Sequence, residues 1–190
     1  LMLAYVSHNI LWLILVSILL LSILAILAGI AILIVNIVKA KHDKDYAKLK
    51  YNLLSIACIL IVAVSWMTNL GWIRIITIII PPIHAMLLFF IVNGTASQSR
   101  FSPRLRWYIR LSCITYLLAN ILLPDGGDIG PMYVFFGLIR NNSIASLCSP
   151  VSELAFAANI VFLILQLVES RKIKKRRKQE AEDSREQIVN

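Results

Sequence analysis

Val151–Lys178 reads VSELAFAANIVFLILQLVESRKIKKRRK: an apolar run from about Val151 to Val168 followed at once by a block of eight residues, seven of them basic. A predominantly apolar run of about 18 residues has the length of a membrane-spanning helix, and a basic block just after it marks the side on which that helix ends. The rest of the 190-residue chain repeats this grammar. It is 59% hydrophobic yet carries a formal charge of +9. Apolar residues gathered into runs of this length specify a polytopic membrane protein rather than a soluble core.

Working outward, further runs occupy residues of about 107–123, 72–92, 51–68 and 9–38. The run at 9–38, span one, exceeds the 7 to 15 residues of a signal-peptide core and is expected to remain as a tilted span. Pro81 and Pro82 fall within the run at 72–92, span three, and should kink it, because each removes a backbone donor. The expected fold is all-α, with five transmembrane helices in residues 1–170 and a basic, then acidic, tail over 171–190.

Charge orients the spans. With the N-terminus outside and the C-terminus inside, seventeen of the nineteen Lys and Arg lie on the inner side, and only Arg74 and Arg140 lie outside. That is the positive-inside pattern. The basic tail residues Lys172, Lys174, Lys175, Arg176 and Arg177 are then expected to contact an anionic inner leaflet, each contributing about 1 kcal/mol of attraction. Nucleic acid is not the expected partner of this basic run, since no aromatics are interleaved with it. Lys178 and Glu182 stand in i,i+4 register, so the last helix can continue beyond the membrane. Isoleucine-rich spans and compact loops suggest a bacterial plasma membrane.

Leu123–Ser143, LPDGGDIGPMYVFFGLIRNNS, is the one sizeable outer connection. Its glycines permit a turn, and its apolar run from Pro131 to Ile139 would make a helix of only about 13 Å. An interfacial or re-entrant segment is expected there, between spans four and five. Asp125, Asp128 and Arg140, with Glu153 in the first turn of span five, are the candidate outer recognition residues. Glu153 is expected either to favour the positive end of the helix dipole or to pair with Arg140 or Arg74.

Small or polar residues recur at helical spacings in every span, among them Ser55 and Cys58 in the second and Ser152, Ala155, Asn159 and Gln166 in the fifth. Such lines mark faces turned from lipid toward other helices. His84, Asn120 and Asn159 are the candidate intramembrane polar residues, because buried polar groups in a membrane are retained chiefly where they are paired or functional. Asn93, in the sequon NGT, falls on the inner side, where it would not be glycosylated.

No catalytic motif stands out. There is no HExxH, no GxSxG and no phosphate-binding loop; Cys58, Cys113 and Cys148 form no CxxC, and His8, His42 and His84 are expected at three different depths. No metal or cofactor is therefore expected, and the chemistry leans away from an enzyme. The favoured reading is a non-enzymatic accessory subunit of a membrane complex, with a membrane-protein partner or self-association. The alternative is a solute or lipid transporter with a polar path near His84, Asn120, Asn159 and Glu153.

Overall fold

The computed structural model describes Leu24 and residues 27–42, 46–69, 71–126 and 130–189. The chain is mostly helical. Helix α1 covers 27–42, α2 Ala47–Thr68, α3 Trp72–Ile76, α4 Ile80–Ala96, α5 Pro103–Ile121 and α6 Asn142–Val189. A 3-10 turn, Ser97–Phe101, joins α4 to α5, and strands β1 (Tyr133–Val134) and β2 (Ile139–Arg140) lie between α5 and α6. Among the described residues, three helical stretches are long and apolar enough to cross a membrane: α2, α4 with its 3-10 extension, and α6. Residues 9–23 of the expected first span lie outside the described residues.

The third span is broken rather than kinked. α3 ends at Ile76, residues 77–79 form a turn, and Pro81 and Pro82 stand in the first turn of α4. There a missing N–H costs nothing, because the first N–H groups of a helix have no intrahelical acceptor. The loop expected after this span is helical as well: Asn93–Ala96 belong to α4, and the chain turns into α5 only at Ser102. Ser102 caps α5 by accepting from the Leu105 N–H at 3.3 Å, with Pro103 following it.

The apolar stretch 131–139, expected as an interfacial or re-entrant segment, forms a short antiparallel hairpin within an otherwise helical chain. Tyr133 pairs with Arg140 and Val134 with Ile139, and a bridge from Asp125 to Tyr133 adds a third strand position. The reason lies in backbone pairing. A nine-residue helix would leave its terminal groups unpaired, whereas the hairpin exchanges bonds within itself and with Asp125. Its turn requires left-handed conformations at Phe135, Phe136 and Gly137, with φ of 51°, 59° and 75°. A Cβ on Gly137 would lie 3.0 Å from Asn69 Oδ1 and 3.2 Å from the Thr68 carbonyl, so the turn packs on the end of α2. Gly137→Ala should therefore lower stability by about 1–2 kcal/mol through the left-handed penalty alone. Gly94→Ala, with no atom within 4 Å and in a helix, should instead be neutral or stabilising. Thermal midpoints in detergent check both signs.

α6 is a single helix of 48 residues that starts well before the expected span and runs through the tail. Asn141 caps it, accepting from the N–H groups of Ser143 at 2.9 Å and Ile144 at 3.2 Å. Lys178 and Glu182 form the i,i+4 ion pair, 3.6 Å apart. Its buried positions Ala145, Ser152, Asn159, Gln166 and Ile173 fall seven apart, a stripe that packs along α5 in the manner of left-handed helix pairs. The core contains Val62, Leu88, Val92, Leu105, Ile109 and Tyr116 from α2, α4 and α5, closed by Leu163 from α6.

Candidate functional site

Three polar constellations organise this bundle: one at its glycine-rich end, one in its middle and one that joins α1, α2 and α4. At the glycine-rich end, the connector Asn69–Arg74 leaves four successive N–H groups at the start of α3 without intrahelical acceptors. Asp125, more than fifty residues away in sequence, satisfies three of them: its carboxylate accepts from Gly71 at 3.1 Å, Ile73 at 3.0 Å and Arg74 at 3.1 Å. The fourth, Trp72 N–H, donates to the Gly126 carbonyl at 3.1 Å. Asp125 thus caps a helix from another part of the chain. Gly71 makes this possible, since a Cβ there would overlap the carboxylate.

Arg74 completes the arrangement. Its Nε lies 3.7 Å from Asp125 Oδ2, an ion pair in which both side chains are fully buried. Its Nη1 donates to the Ser65 carbonyl and its Nη2 to those of Asn120 and Leu123, each at 3.2 Å for the latter two. These acceptors belong to the ends of α2 and α5, where carbonyls lack helical donors and a cation is favoured by the dipole. The guanidinium also lies 5.3 Å from the Trp66 ring centroid, within range of a cation–π contact. One ion pair therefore ties together three helix ends and the start of the hairpin. Beside it, burial and the Asp125 charge push the Tyr133 phenol above its ordinary pKa.

This geometry rearranges the expected outer recognition set. Asp125 is fully buried, so it supports the fold rather than offering a charge to a ligand. Arg140 is exposed on β2, and Asp128 lies outside the described residues. Glu153 lies about three turns into α6, not in the first turn of a helix, because α6 begins at Asn142. It accepts from Ser149 at 3.1 Å, and Arg74 is engaged by Asp125 instead. Gly71 is the residue that sequence reasoning missed, and Arg74, weighed there only as a partner of Glu153, is the partner of Asp125. A lone arginine set in the apolar connector GWIRII was the available signal.

In the middle of the bundle, His84 and Asn159 do meet. His84 Nε2 and Asn159 Oδ1 are 2.8 Å apart, and Asn159 Nδ2 donates to the Ser112 carbonyl at 2.6 Å and to Thr115 Oγ1 at 3.3 Å. The His84 ring stands edge-on to Tyr116 and Phe156, with centroids 4.7 and 4.8 Å away. Two turns along α6, Gln166 donates to Ser112 Oγ at 2.7 Å and accepts from Thr95 at 3.3 Å. Asn120 is not part of this seam. Its amide donates to the Tyr116 carbonyl of its own helix at 2.8 Å.

A third knot joins α1, α2 and α4: Asn93 Oδ1 accepts from Asn36 at 2.9 Å and from Asn52 at 3.0 Å. Asn93 is thereby a bundle residue. Cys58 on α2 and Cys113 on α5 are free thiols. They are buried in the core with Tyr116, consistent with thiols used as small apolar groups. Between α1, α2 and α4 a groove of about 650 Å³ is lined almost wholly by apolar side chains, among them Gly29, Ala63, Ala85 and Phe89. Comparison with known proteins gives no match to a family model, to a curated protein or to a solved structure.

The tail residues Lys172, Lys174, Lys175, Arg176 and Arg177 project as exposed side chains from the continuous helix α6. Ile173 between them is buried, which fixes the face that this segment turns to the bundle. Arg177 reaches the ring of Phe101, 4.2 Å from its centroid.

Proposed function

We propose that this chain is a five-span protein of a bacterial plasma membrane, N-terminus outside and C-terminus inside, acting as a non-enzymatic subunit through contacts in the plane of the membrane. The observation that carries this reading is how the intramembrane polar groups are used. His84, Asn159 and Gln166 spend their hydrogen bonds on neighbouring helices, while the sizeable concavity beside them is apolar. Polar side chains so engaged act as interhelical glue, whereas a solute path needs them turned to water. A path through His84, Asn120, Asn159 and Glu153 has less support, since Asn120 bonds within its own helix and Glu153 is exposed beside Ser149.

A membrane-protein partner is favoured over self-sufficiency by the groove itself. Gly29, Ala63 and Ala85 stand on its three helices, and small residues let another helix approach closely. The occupant on this reading is a single apolar transmembrane helix of a partner.

Purification of the full chain in mild detergent, with identification of co-purifying membrane proteins, tests the proposal. Ala63→Trp and Ala85→Trp, which fill the groove, should lower recovery of the partner by about tenfold while Leu154→Trp, on an exposed face of α6, should leave it unchanged, a difference of about 1.4 kcal/mol. Isolation of a lone monomer that carries solute across liposomes would sink the reading in favour of transport.

A further inference from the structure

The apolar groove between α1, α2 and α4 has two polar points in its wall. Among the described residues that line it, Trp66 and Tyr116 alone carry a hydrogen-bonding side-chain group. The buried Nε1 of Trp66 finds no acceptor. Tyr116 reaches the groove from α5 and is only 1% exposed, yet among the described residues its hydroxyl has no hydrogen-bond partner. Asn120 donates to the Tyr116 backbone carbonyl, and His84 meets the ring edge-on. Buried indole N–H and phenol O–H groups ordinarily find partners, because one left unpaired away from water forfeits a hydrogen bond. On the seam beside the groove that rule holds, with His84, Asn159 and Gln166 all bonded across helices. Lipid tails cannot supply the missing partners, since hydrocarbon has no acceptor. A charged group would not suit the groove either, because no carboxylate, amine, guanidinium or imidazole is among the side chains that line it. Arg74, whose guanidinium lies 5.3 Å from the Trp66 ring centroid, is already paired with Asp125.

We propose that the partner's transmembrane helix presents to this groove uncharged side chains with acceptor oxygens, hydroxyl or amide, to which Trp66 Nε1 and the Tyr116 hydroxyl donate. The inference rests on the reading of the groove as the seat of a partner helix, and it adds the chemistry by which that helix is selected. A wholly apolar helix could slide or rotate in an apolar groove. Polar pairs fix its depth and rotation, as a single polar residue fixes register in a coiled-coil seam.

The test is quantified recovery of the partner with the full chain in mild detergent, followed by identification of the partner and of the polar residues in its spanning helix. Tyr116→Phe and Trp66→Phe should each lower recovery about threefold, the worth of an average hydrogen bond between membrane helices, and together about tenfold. Met86→Leu, a volume-conserving change in the same lining, should leave it unchanged. Because its hydroxyl bonds nothing within the chain, Tyr116→Phe should also leave the thermal midpoint of the isolated chain unchanged; a clear drop would show the hydroxyl engaged internally and overturn the proposal. Removing the partner's polar side chain should cause the same loss of recovery, and combining that change with Tyr116→Phe should add little, the signature of a shared bond. A partner whose spanning helix is wholly apolar overturns the inference but leaves the helix seat standing. So does full recovery with both aromatic variants while Ala63→Trp still abolishes it. Full recovery with Ala63→Trp, or purification with lipid or a second copy of the chain as the sole companion, overturns the seat and the inference together.

Discussion

Asp125→Ala is expected to destabilise the bundle by about 3–5 kcal/mol, the cost of leaving a buried cation without its partner. The carboxylate it removes accepts three N–H groups at the start of α3 and faces Arg74, both side chains being fully buried. Arg74→Met should be comparably harmful, because the Asp125 charge would remain and the carbonyls of Ser65, Asn120 and Leu123 would lose their donor. The double variant should cost less than the sum of the two, since removal of either partner already breaks the shared interaction. Gly71→Ala offers an independent route to the same loss, its methyl group competing with the carboxylate for space. Chemical or thermal unfolding in detergent reads these values. A change below about 0.5 kcal/mol for Asp125→Ala, the scale of ordinary surface substitutions, would mean that the ion pair does not hold this end together.

Asn159→Leu should cost about 2 kcal/mol. The side chain makes three interhelical contacts, to His84, Ser112 and Thr115. Hydrogen bonds between membrane helices average about 0.6 kcal/mol each, and the buried His84 nitrogen would also lose its partner. Ser146→Leu, at an exposed polar position on the same helix, should by contrast change little. Since the proposed function assigns these bonds to holding helices together, Asn159→Leu should lower the unfolding midpoint and leave any solute flux in liposomes unaltered. A variant that kept full stability but lost a measured flux would transfer His84 and Asn159 from glue to path.

Much of this arrangement is legible in the sequence because the bilayer imposes it. The apolar runs, the basic block after Val168 and the i,i+4 pair of Lys178 with Glu182 follow from local composition, and the helices α2, α4 and α6 lie where those runs are. The polar line Ser152, Asn159 and Gln166 is equally local, since a spacing of seven keeps residues on one face, and that face is buried. His84 and Asn159 were both recognisable as unusual in apolar surroundings. That they meet was not, because their separation of 75 residues is bridged only by packing.

The departures are instructive for the same reason. Pro81 and Pro82 read as a kink, yet a prolyl pair can equally begin a helix, and the choice depended on the turn at 77–79 and on what the start of α3 could bond to. The stretch 131–139 read as an interfacial or re-entrant segment because its hydrophobicity was visible and its pairing was not. Its hairpin needs Asp125 as a third strand position and the end of α2 as a support for Gly137. Asp125 and Glu153 were grouped by their shared side of the membrane, but one is drawn into the core by three N–H groups at the start of α3 and an arginine, while the other remains on the surface of a helix that began earlier than its apolar content suggested.

The amino-acid sequence by itself determined that this is a helical, membrane-type chain with charge segregated to particular connections, because hydrophobic length and the placement of Lys and Arg are properties of short segments acting against a bilayer. Only the tertiary structure decided which polar groups come together. Asp125 and Arg74 cancel one another across three helix ends, Asn159 and His84 join two helices, and Arg100 and Arg177 come to the same ring. Each of these pairs is long-range in sequence, and its formation depends on the desolvation and geometry that packing alone creates.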